Sequence, residues 1–439
     1  MNIKSSYYNF LFENNNKFYV YNILTTAIAE LEQDIFNNLQ NNKIEVIIPE
    51  IRQSLLEQGF LVPIETDEKN YYKYFYDNAR FCYSSKSANV TLIPTYDCNL
   101  SCPYCYEGKE KNKEKISIQD IDKILKFISS KTEKNNDDIP IQTLHIMIYG
   151  GEPLLCKDSL LYFCEKTFEI AEKQKIKIDY HITTNLTLLD TSVIEIIAKY
   201  QISLQVSIDG TKEEHNKRRI YSDGTGTYDI IIKNLKRLVD NGLKHLITIR
   251  INIDEENSEC AEDIFTDLKE YSDDIYFGIL KSYKGINDKY SQNCFENCCL
   301  DNLSTNKIHD IYENNDLPIP LKFGKKSPCS INAQNRYFID NKLDVYKCDL
   351  LVNHPECRIG YIDNNGKLIK EPNFYQQMSF SPFLFKECEE CKLLPLCGAG
   401  CPAEIYLAKQ LKNGDIIHKN CTYTEESLKN YLLDYIKRL

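Results

Sequence analysis

The chain has 439 residues, enough for several domains and a large buried core, so a small disulfide-stabilised scaffold is excluded. Its 53 basic and 64 acidic residues give a formal charge of −11, which argues against a nucleic-acid-binding surface. No apolar run is long enough to span a membrane, and residues 1–17 lack the apolar core and cleavage site of a secretory signal. The sequence therefore predicts a cytoplasmic protein that binds neither membranes nor nucleic acid.

The first predicted region covers residues 1–85. Its patterns predict a strand at 17–24, a helix at 26–39, a second helix at 46–56 that Gly59 terminates, and a charged, tyrosine-rich linker helix at 68–80.

The second region, 88–305, alternates apolar strands with amphipathic helices about every 30 residues, the pattern of βαβ units. The predicted strands are 89–94, 143–149, 178–184, 202–208, 246–253 and 275–280. The predicted helices include 119–131, 159–173, 192–199 and 228–240. Six such units with inward-facing apolar strands predict an α/β fold, a partial (β/α)6 barrel. Its chemistry should lie on loops at the carboxyl ends of the strands.

The third region, 325–425, is rich in turns, short strands and cysteine, and an amphipathic helix at 425–439 closes the chain. Eighteen cysteines are too many for packing alone and too dilute for a secreted disulfide framework. None precedes Cys82, three lie within 98–105 and eight lie from Cys329 to Cys421. Such clustering in a cytoplasmic protein favours metal or iron–sulfur ligation.

One cysteine cluster directly follows the first barrel strand, with the spacing Cys98-x3-Cys102-x2-Cys105. Three thiolates on a tight loop can bind three irons of a cubane and leave the fourth iron open. The alternative is a zinc knuckle, but zinc normally needs a fourth ligand nearby and the next cysteine is Cys156.

This loop resembles the hallmark of the radical S-adenosylmethionine (SAM) enzymes, and the resemblance covers about residues 88–285. It implies a [4Fe–4S] cluster whose open iron binds SAM, and reductive cleavage of SAM to methionine and a 5′-deoxyadenosyl radical. The same resemblance places Tyr104, within the loop, in the cofactor pocket.

Three further motifs support the resemblance. Gly150-Gly151-Glu152-Pro153, at the end of the second strand, is similar to the family's GGEP element, which binds the methionine amino group. Glycines there allow a close backbone approach to a ligand. Thr184-Asn185, at the end of the third strand, resembles the TN(G) element near the ribose, although Leu186 stands where glycine is usual. A plain asparagine turn is the alternative.

The fourth strand ends in Ser207-x-Asp209-Gly210, followed by His215 and Arg219 in the family's spacing. The resemblance assigns Ser207 and Asp209 to the SAM pocket and Arg219 to the methionine carboxylate, which a guanidinium suits. Asn216 replaces the usual aspartate, and we expect His215 to make a structural hydrogen bond rather than to act in catalysis. Two side chains of the fifth strand, Arg250 and Asn252, are further candidates for the pocket.

The third region resembles the seven-cysteine SPASM domain, which binds two auxiliary [4Fe–4S] clusters and would bring the total to three. The resemblance assigns one cluster to Cys329, Cys348 and Cys401, and the other to Cys388, Cys391, Cys397 and Cys421. Leu343 replaces a usual glycine, and the gap from Cys329 to Cys348 is long. The remaining ligand would be Cys294, Cys298, Cys299, Cys357 or none. Two zinc sites are the alternative.

Asp349 directly follows Cys348. The resemblance to sulfatase-maturing enzymes implies a general base at this position, and a turn-forming side chain is the alternative.

The N-terminal region resembles a PqqD-like winged-helix module, which binds a leader peptide as an added edge strand. A cap packed on the barrel is the alternative. Together, these resemblances imply a radical SAM maturase of ribosomal precursor peptides, with an electron donor such as flavodoxin or ferredoxin. The favoured product is a cysteine thioether, as in sactipeptide and ranthipeptide maturases. Formylglycine formation, carbon–carbon crosslinking, epimerisation and a non-enzymatic iron–sulfur electron carrier are the alternatives.

Overall fold

The computed structural model describes residues 2–82, 86–105, 112–133, 141–254, 256–279, 310–312, 314–315, 328–352, 354–411, 421 and 423–437. Among the helices of these residues, none has the length and apolar character needed to cross a membrane.

The N-terminal unit contains two small antiparallel sheets and three helices. Its elements are β1 (Ile3–Ser5), β2 (Asn9–Asn14), β3 (Lys17–Asn22), β4 (Ile28–Leu31), α1 (Gln33–Gln40), α2 (Pro49–Glu57), β5 (Leu61–Pro63) and α3 (Glu68–Cys82). The strand order is β2-β3-β4 in one sheet, and β1 pairs with β5 in the other. Gly59 has a φ of +82° just beyond α2, which confirms its predicted terminating role.

The predicted single helix at 26–39 is wrong in its first half. The Asn22 side chain accepts hydrogen bonds from the backbone N–H groups of Leu24 and Thr25, both at 3.0 Å, and reverses the chain. The following residues pair with β3 as strand β4, and α1 begins only at Gln33. A turn stabilised by a side chain therefore overrides the helical spacing of the apolar residues.

The second region forms six parallel strands in chain order, as predicted. Its elements are β6 (Ser87–Ile93), α4 (Ile118–Thr132), β7 (Thr143–Ile148), α5 (Lys157–Gln174), β8 (Lys177–Thr184), α6 (Thr191–Tyr200), β9 (Ser203–Ser207), α7 (Lys212–Arg218), α8 (Tyr228–Asp240), β10 (Ile247–Ile253), α9 (Ala261–Leu268) and β11 (Asp274–Ile279). The last residue of the predicted strand 275–280 lies outside the described residues.

The two faces of this sheet differ in chemistry. On one face, apolar side chains such as Leu144 and Ile146 pack with the apolar side chains of the helices in one core. On the other face, polar side chains alternate with them, and Tyr276 donates its hydroxyl to Gln205 Oε1 at 2.8 Å. The prediction that the apolar strand residues face the inside of the barrel is therefore wrong, because those residues pack against the helices on the outside of the sheet.

The third region extends the same sheet. Its elements are β12 (Arg336–Asp340), β13 (Asp344–Tyr346), β14 (Gly360–Ile362), β15 (Leu368–Lys370), α10 (Pro372–Met378), α11 (Lys386–Glu389), α12 (Leu394–Cys397), α13 (Pro402–Leu411) and α14 (Glu425–Lys437). Strand β12 runs parallel to β6, with Arg336 beside Asn89 and Asp340 beside Ile93, so a single sheet has ten strands.

The N-terminal unit shares a second core with the cysteine-rich region. Tyr8, Tyr72 and Tyr76 are buried in one apolar cluster with Phe380 and Leu394. At its edge, the Tyr7 hydroxyl donates to the backbone carbonyl of Glu390 at 2.7 Å. Helix α3 is therefore a core helix that packs against the third region, rather than a linker between separate units.

Candidate active site

The cysteine loop leaves the carboxyl end of β6, where the fold predicts chemistry. Cys98, Cys102 and Cys105 are all half-buried and none forms a disulfide. The Ser101 N–H donates to the carbonyl of Ile220 at 2.7 Å, so the loop is fastened to the segment that follows α7.

The paired glycines bring the end of β7 against the start of this loop. Gly151 N–H donates to Thr95 O at 3.2 Å, and Glu152 N–H donates to Asp97 O at 2.8 Å. A Cβ on Gly151 would lie 2.1 Å from Asp97 O, which is a severe clash with backbone. The close approach predicted here is thus to the backbone of the cysteine loop, and contact of the glycines with a ligand stays a prediction.

We expect Gly151→Ala to displace the cysteine loop, because the added methyl group has no flexible neighbour that can give way. If Cys98, Cys102 and Cys105 bind iron as predicted, the variant should retain less iron than the parent chain, measured by iron content and absorbance after anaerobic reconstitution. Gly224→Ala is the matched control, because Gly224 has open space around its Cα and loses only its preferred φ of +86°. Equal iron content in both variants would contradict this role for Gly151.

Glu152 is fully buried and links two strand ends. Its Oε1 accepts from the Thr184 hydroxyl at 2.7 Å and the Leu154 N–H at 3.0 Å, and its Oε2 accepts from the Asn185 N–H at 2.8 Å. Burial raises the pKa of Glu152, while these hydrogen bonds and the Arg219 guanidinium act in the opposite direction. The carboxylate thus has a structural role, and its predicted contact with an ammonium group stays a prediction.

Asn185 lies directly beside the cysteine loop. Its Nδ2 donates to Asn99 Oδ1 at 2.9 Å and lies 3.8 Å from Cys98 Sγ. Leu186 adopts a left-handed conformation, with a φ of +61°, and its side chain is fully buried. The loop therefore keeps the conformation that favours glycine, although a leucine occupies the position.

A buried ion pair lies at the end of β9. Asp209 is fully buried, and its Oδ2 accepts from Arg219 Nε at 2.8 Å and from the Tyr104 hydroxyl. The Arg219 guanidinium lies 5.7 Å from the centre of the Tyr104 ring. The structure thus brings together three residues that the sequence assigned to one pocket, from the cysteine loop, the strand end and the segment after α7.

His215 makes structural hydrogen bonds, as predicted. Its Nδ1 accepts from the Asp209 N–H at 3.3 Å, so Nε2 carries the hydrogen and donates to Thr227 Oγ1 at 3.0 Å. Burial lowers the pKa of His215 to about 3, which keeps the ring neutral. The ring therefore orients the Asp209 backbone, which is the structural role that the sequence predicted.

Residues on and after β10 complete the network around Asp209. Asn252 Nδ2 donates to Asp209 Oδ1 at 2.9 Å, and Arg250 Nε donates to Asn252 Oδ1 at 3.0 Å. Asn257, which the sequence analysis missed, donates to the backbone carbonyl of Asp209 at 2.7 Å. No motif marks Asn257, and only its position after a barrel strand could have suggested it.

One cysteine of the third region, Cys348, lies away from this loop. Strand β13 runs back along β12, so Cys348 lies towards the amino end of β6, whereas Cys98 follows its carboxyl end. Cys388 and Cys397 are buried, and Cys421 is exposed. Leu343 has a φ of +65°, again the conformation expected of the glycine it replaces.

The other predicted residues of this region are partly placed. Cys348 Sγ lies 3.2 Å from Asp349 Oδ1, and Asp349 begins a short 3-10 turn. The structure is therefore compatible with Asp349 as a general base and with Asp349 as a turn-forming residue. Cys357 is buried in the second core, where burial raises the pKa of its thiol to about 12. Cys294, Cys298 and Cys299 lie outside the described residues.

The three cysteine thiols of this loop are of the type that binds an iron–sulfur cluster, and polar side chains lie near them to bind a further ligand. Among the described residues, no group of three His, Cys, Asp or Glu side chains is arranged to hold a metal ion, so the iron–sulfur and the zinc interpretations both stay predictions. Neither the Ser207 hydroxyl nor the terminal nitrogens of Arg219 have a hydrogen-bond partner in the described part of the chain. These groups can bind hydroxyl and carboxylate groups of a ligand next to the thiols.

Comparison with known proteins shows which family the central region is similar to. Residues 92–268 match the model of the radical SAM superfamily. The cysteine-type anaerobic sulfatase-maturating enzyme of Clostridium perfringens (strain 13 / Type A) is 27% identical over 278 residues, which cover 57% of this chain and 72% of that protein.

Two solved structures share the fold. Native anSMEcpe with bound AdoMet and Cp18Cys peptide has a TM-score of 0.60 at 20% identity, and the match covers 80% of this chain and 97% of that one. Streptococcus suis SuiB bound to precursor peptide SuiA has a TM-score of 0.53 at 14% identity, and the match covers 92% of this chain and 97% of that one. The chain therefore carries a radical SAM domain over residues 92–268, as its cysteine loop and GGEP motif predicted.

Proposed function

We propose that this chain is a radical SAM maturase that oxidises a ribosomally synthesised precursor peptide and closes a cysteine thioether. The observation that carries the proposal is the convergence of the cysteine loop with Glu152, Asn185 and Arg219, which follow β7, β8 and α7, respectively. Similarity to a sulfatase-maturating enzyme and to a fold solved with a precursor peptide supports a peptide or protein substrate.

In this proposal, Cys98, Cys102 and Cys105 hold a [4Fe–4S] cluster that supplies the electron for SAM cleavage when it is bound. Arg219 binds the methionine carboxylate through its terminal nitrogens, while Asp209 and the Tyr104 ring fix the guanidinium. Glu152 accepts from the methionine amino group with the free lone pair on Oε2. Ser207 and Asn185 orient the rest of the cofactor.

Thioether closure removes two hydrogens from the peptide. SAM held beside Cys98, Cys102 and Cys105 would supply the oxidant that takes one of them from carbon as a hydrogen atom, and the cysteine thiol would release the other as a proton. The new carbon–sulfur bond then leaves one electron to be removed. Auxiliary clusters at Cys329, Cys348 and Cys401, and at Cys388, Cys391, Cys397 and Cys421, would accept this electron.

Formylglycine formation is the second candidate, and a specific observation favours it. The sequence similarity is to a cysteine-type sulfatase-maturating enzyme. Asp349 is the predicted base of that reaction, and its contact with the Cys348 thiol is compatible with the base and the turn interpretations alike. Carbon–carbon crosslinking is a further outcome of the same radical chemistry.

Mass spectrometry of candidate peptides after anaerobic incubation with enzyme, SAM and reductant tests the proposal. A loss of two hydrogens per crosslink, with cysteines that resist alkylation, is expected. An aldehyde that reacts with hydrazide probes would instead establish formylglycine formation. Cys421→Ala should retain SAM cleavage and lose peptide product, and unchanged product would remove the auxiliary-cluster role. Cleavage of SAM without any peptide change, across both peptide classes, would contradict a maturase.

The N-terminal unit is proposed to bind the leader peptide at a free edge of the sheet β2-β3-β4. Both outer strands pair only with β3 in the described residues. The Ile23 N–H donates to Tyr8 O, and the Asn22 N–H donates to Ala27 O. Along an antiparallel pair, successive residues point their backbone N–H and C=O groups alternately towards the partner strand and away from it. These two bonds therefore fix which residues of β2 and β4 point their backbone groups away from β3. By this alternation, the N–H of Glu13 on β2 and that of Glu30 on β4 face outwards.

Proline at either position removes one backbone N–H that points away from β3, and it leaves the hydrogen bonds between the strands of the sheet intact. We expect Glu13→Pro or Glu30→Pro to weaken leader binding about 3- to 10-fold, the effect of one lost hydrogen bond with some added strain. Fluorescence anisotropy with a labelled leader measures this. The leader is expected to pair with only one of the two outer strands, so the proline variant on the other strand is the internal control. Unchanged binding in both would reduce this unit to a cap, and point variants are needed because deletion of residues 1–85 would expose the second core.

A further inference from the structure

Arg250 is a half-buried arginine on the polar face of the barrel sheet. Its neighbours on β10, Ile249 and Ile251, lie in the apolar core under the helices, so the Arg250 side chain points to the opposite face. Among the described residues it forms no ion pair, and its hydrogen bond runs from Nε to Asn252 Oδ1 at 3.0 Å. Both terminal nitrogens of the guanidinium therefore lack a partner in this part of the chain.

The neighbours of the Arg250 guanidinium fix its position, although its charge is uncompensated. Asn252 binds Nε, and the centre of the Tyr276 ring lies 5.8 Å from Cζ. The Tyr276 hydroxyl donates to Gln205 Oε1 at 2.8 Å, so the ring is itself fixed. Gly278 leaves room for the guanidinium, because a Cβ there would lie 3.0 Å from Nε and 3.2 Å from Nη2. A side chain that is already ordered loses little entropy when it binds a ligand.

Further polar groups without partners lie on the strands next to Arg250. Ser207 on β9 is beside Arg250 in register, and Gln205 Nε2 makes no hydrogen bond within the described residues. Thr183 on β8 is beside Gln205 in register, and its buried hydroxyl has no partner in the same part of the chain. Buried polar groups normally have partners, so this face of the sheet has the character of a binding site for a polar ligand.

We infer that Arg250 binds a carboxylate of the substrate peptide and selects peptides with an acidic group near the residue that is oxidised. The inference rests on the peptide substrate of the proposed function. Two free terminal nitrogens of a guanidinium can donate to the two oxygens of one carboxylate. Asn252 links Arg250 to Asp209 through hydrogen bonds of 3.0 and 2.9 Å. The bound carboxylate would therefore lie next to the pocket that Asp209 and Arg219 form.

Three synthetic peptides of nine residues, each with a central cysteine, test the inference on the full chain with SAM under anaerobic conditions. The first has aspartate on both sides of the cysteine and an amidated C-terminus. The second has asparagine at these positions and the same amide, and the third has asparagine and a free terminal carboxylate. Fluorescence anisotropy of labelled peptides gives the dissociation constants. We expect the first peptide to bind about 10-fold more tightly than the second, the effect of one charge-assisted contact.

Arg250→Gln should abolish this preference, so that the first and second peptides bind equally. Lys244→Gln is the matched control, because it removes the same charge just before β10, where Lys244 Nζ already pairs with Asp273 at 2.8 Å. The control should keep the 10-fold preference. The readout is the ratio of the two affinities, since a merely structural effect of Arg250→Gln would weaken the binding of all peptides alike.

Tighter binding of the third peptide than of the second, lost in Arg250→Gln, would also support the inference, with the terminal carboxylate as the bound group. Equal binding of all three peptides, or a preference that survives in Arg250→Gln, would overturn the inference while a peptide substrate stands. Absence of binding by every peptide, with no peptide modified in the mass-spectrometric test, would overturn the proposed function and the inference with it. The two failures are thus distinguishable.

Discussion

Replacing Cys98, Cys102 and Cys105 together by alanine is expected to abolish SAM cleavage and to remove about four iron atoms per chain. The loop offers three thiols at the carboxyl end of β6, and without them the cluster that would supply the electron is not expected to assemble. Quantification of 5′-deoxyadenosine by liquid chromatography, with iron analysis, measures both effects.

The matched control for this loop is Cys260→Ala. Cys260 is also half-buried and unpaired, but it lies on the short turn Asn257–Cys260, on which no ligand role has been placed. This control should keep its iron and its SAM cleavage. Persistent 5′-deoxyadenosine in the triple variant would remove the basis of the radical SAM assignment for this loop.

Asp209→Asn is expected to destabilise the protein by about 3–5 kcal/mol, because it leaves the buried Arg219 guanidinium without a counter-charge. The Arg219 side chain is 10% exposed and the Asp209 side chain is fully buried, so water cannot compensate. The free energy of unfolding from urea titration measures the loss. Weaker SAM binding should accompany it, since Arg219 would lose its fixed orientation.

The Lys212–Asp229 pair provides the comparison. Its two groups lie 2.7 Å apart, but the side chains are 57% and 75% exposed. Asp229→Asn should therefore change the free energy of unfolding by no more than about 1 kcal/mol. Similar stability of the two variants would show that the Asp209–Arg219 pair is solvated and does not organise the pocket.

How much of this site could be predicted depends on whether its residues lie on local motifs. Cys98, Glu152 and Asp209 each end or follow a barrel strand, and the parallel order of the strands was sufficient to predict that they meet. Asn257 could not be predicted, because an isolated asparagine carries no pattern. The contact of Gly151 with Asp97 O could not be predicted either, since it depends on how closely two loops pack.

Long-range pairing explains the larger errors in the predicted fold. The spacing of apolar residues in 26–39 is helical, but the Asn22 turn brings Ile28 back onto β3. Likewise, nothing local in Arg336–Asp340 indicates that this short strand pairs with β6, more than 200 residues earlier. The tyrosine pattern of 68–80 predicted a helix correctly, but not the second core that its buried face forms with the third region.

The pairing of β12 with β6 has a consequence for how the protein can be divided. A truncated chain that ends before Arg336 would leave Asn89–Ile93 of β6 without a partner strand on one side, with a row of unpaired backbone N–H and C=O groups. Such an uncovered edge is a template for intermolecular strand addition and aggregation. We therefore expect residues 92–268, which match the family model, to aggregate when they are produced without the cysteine-rich segment that follows them.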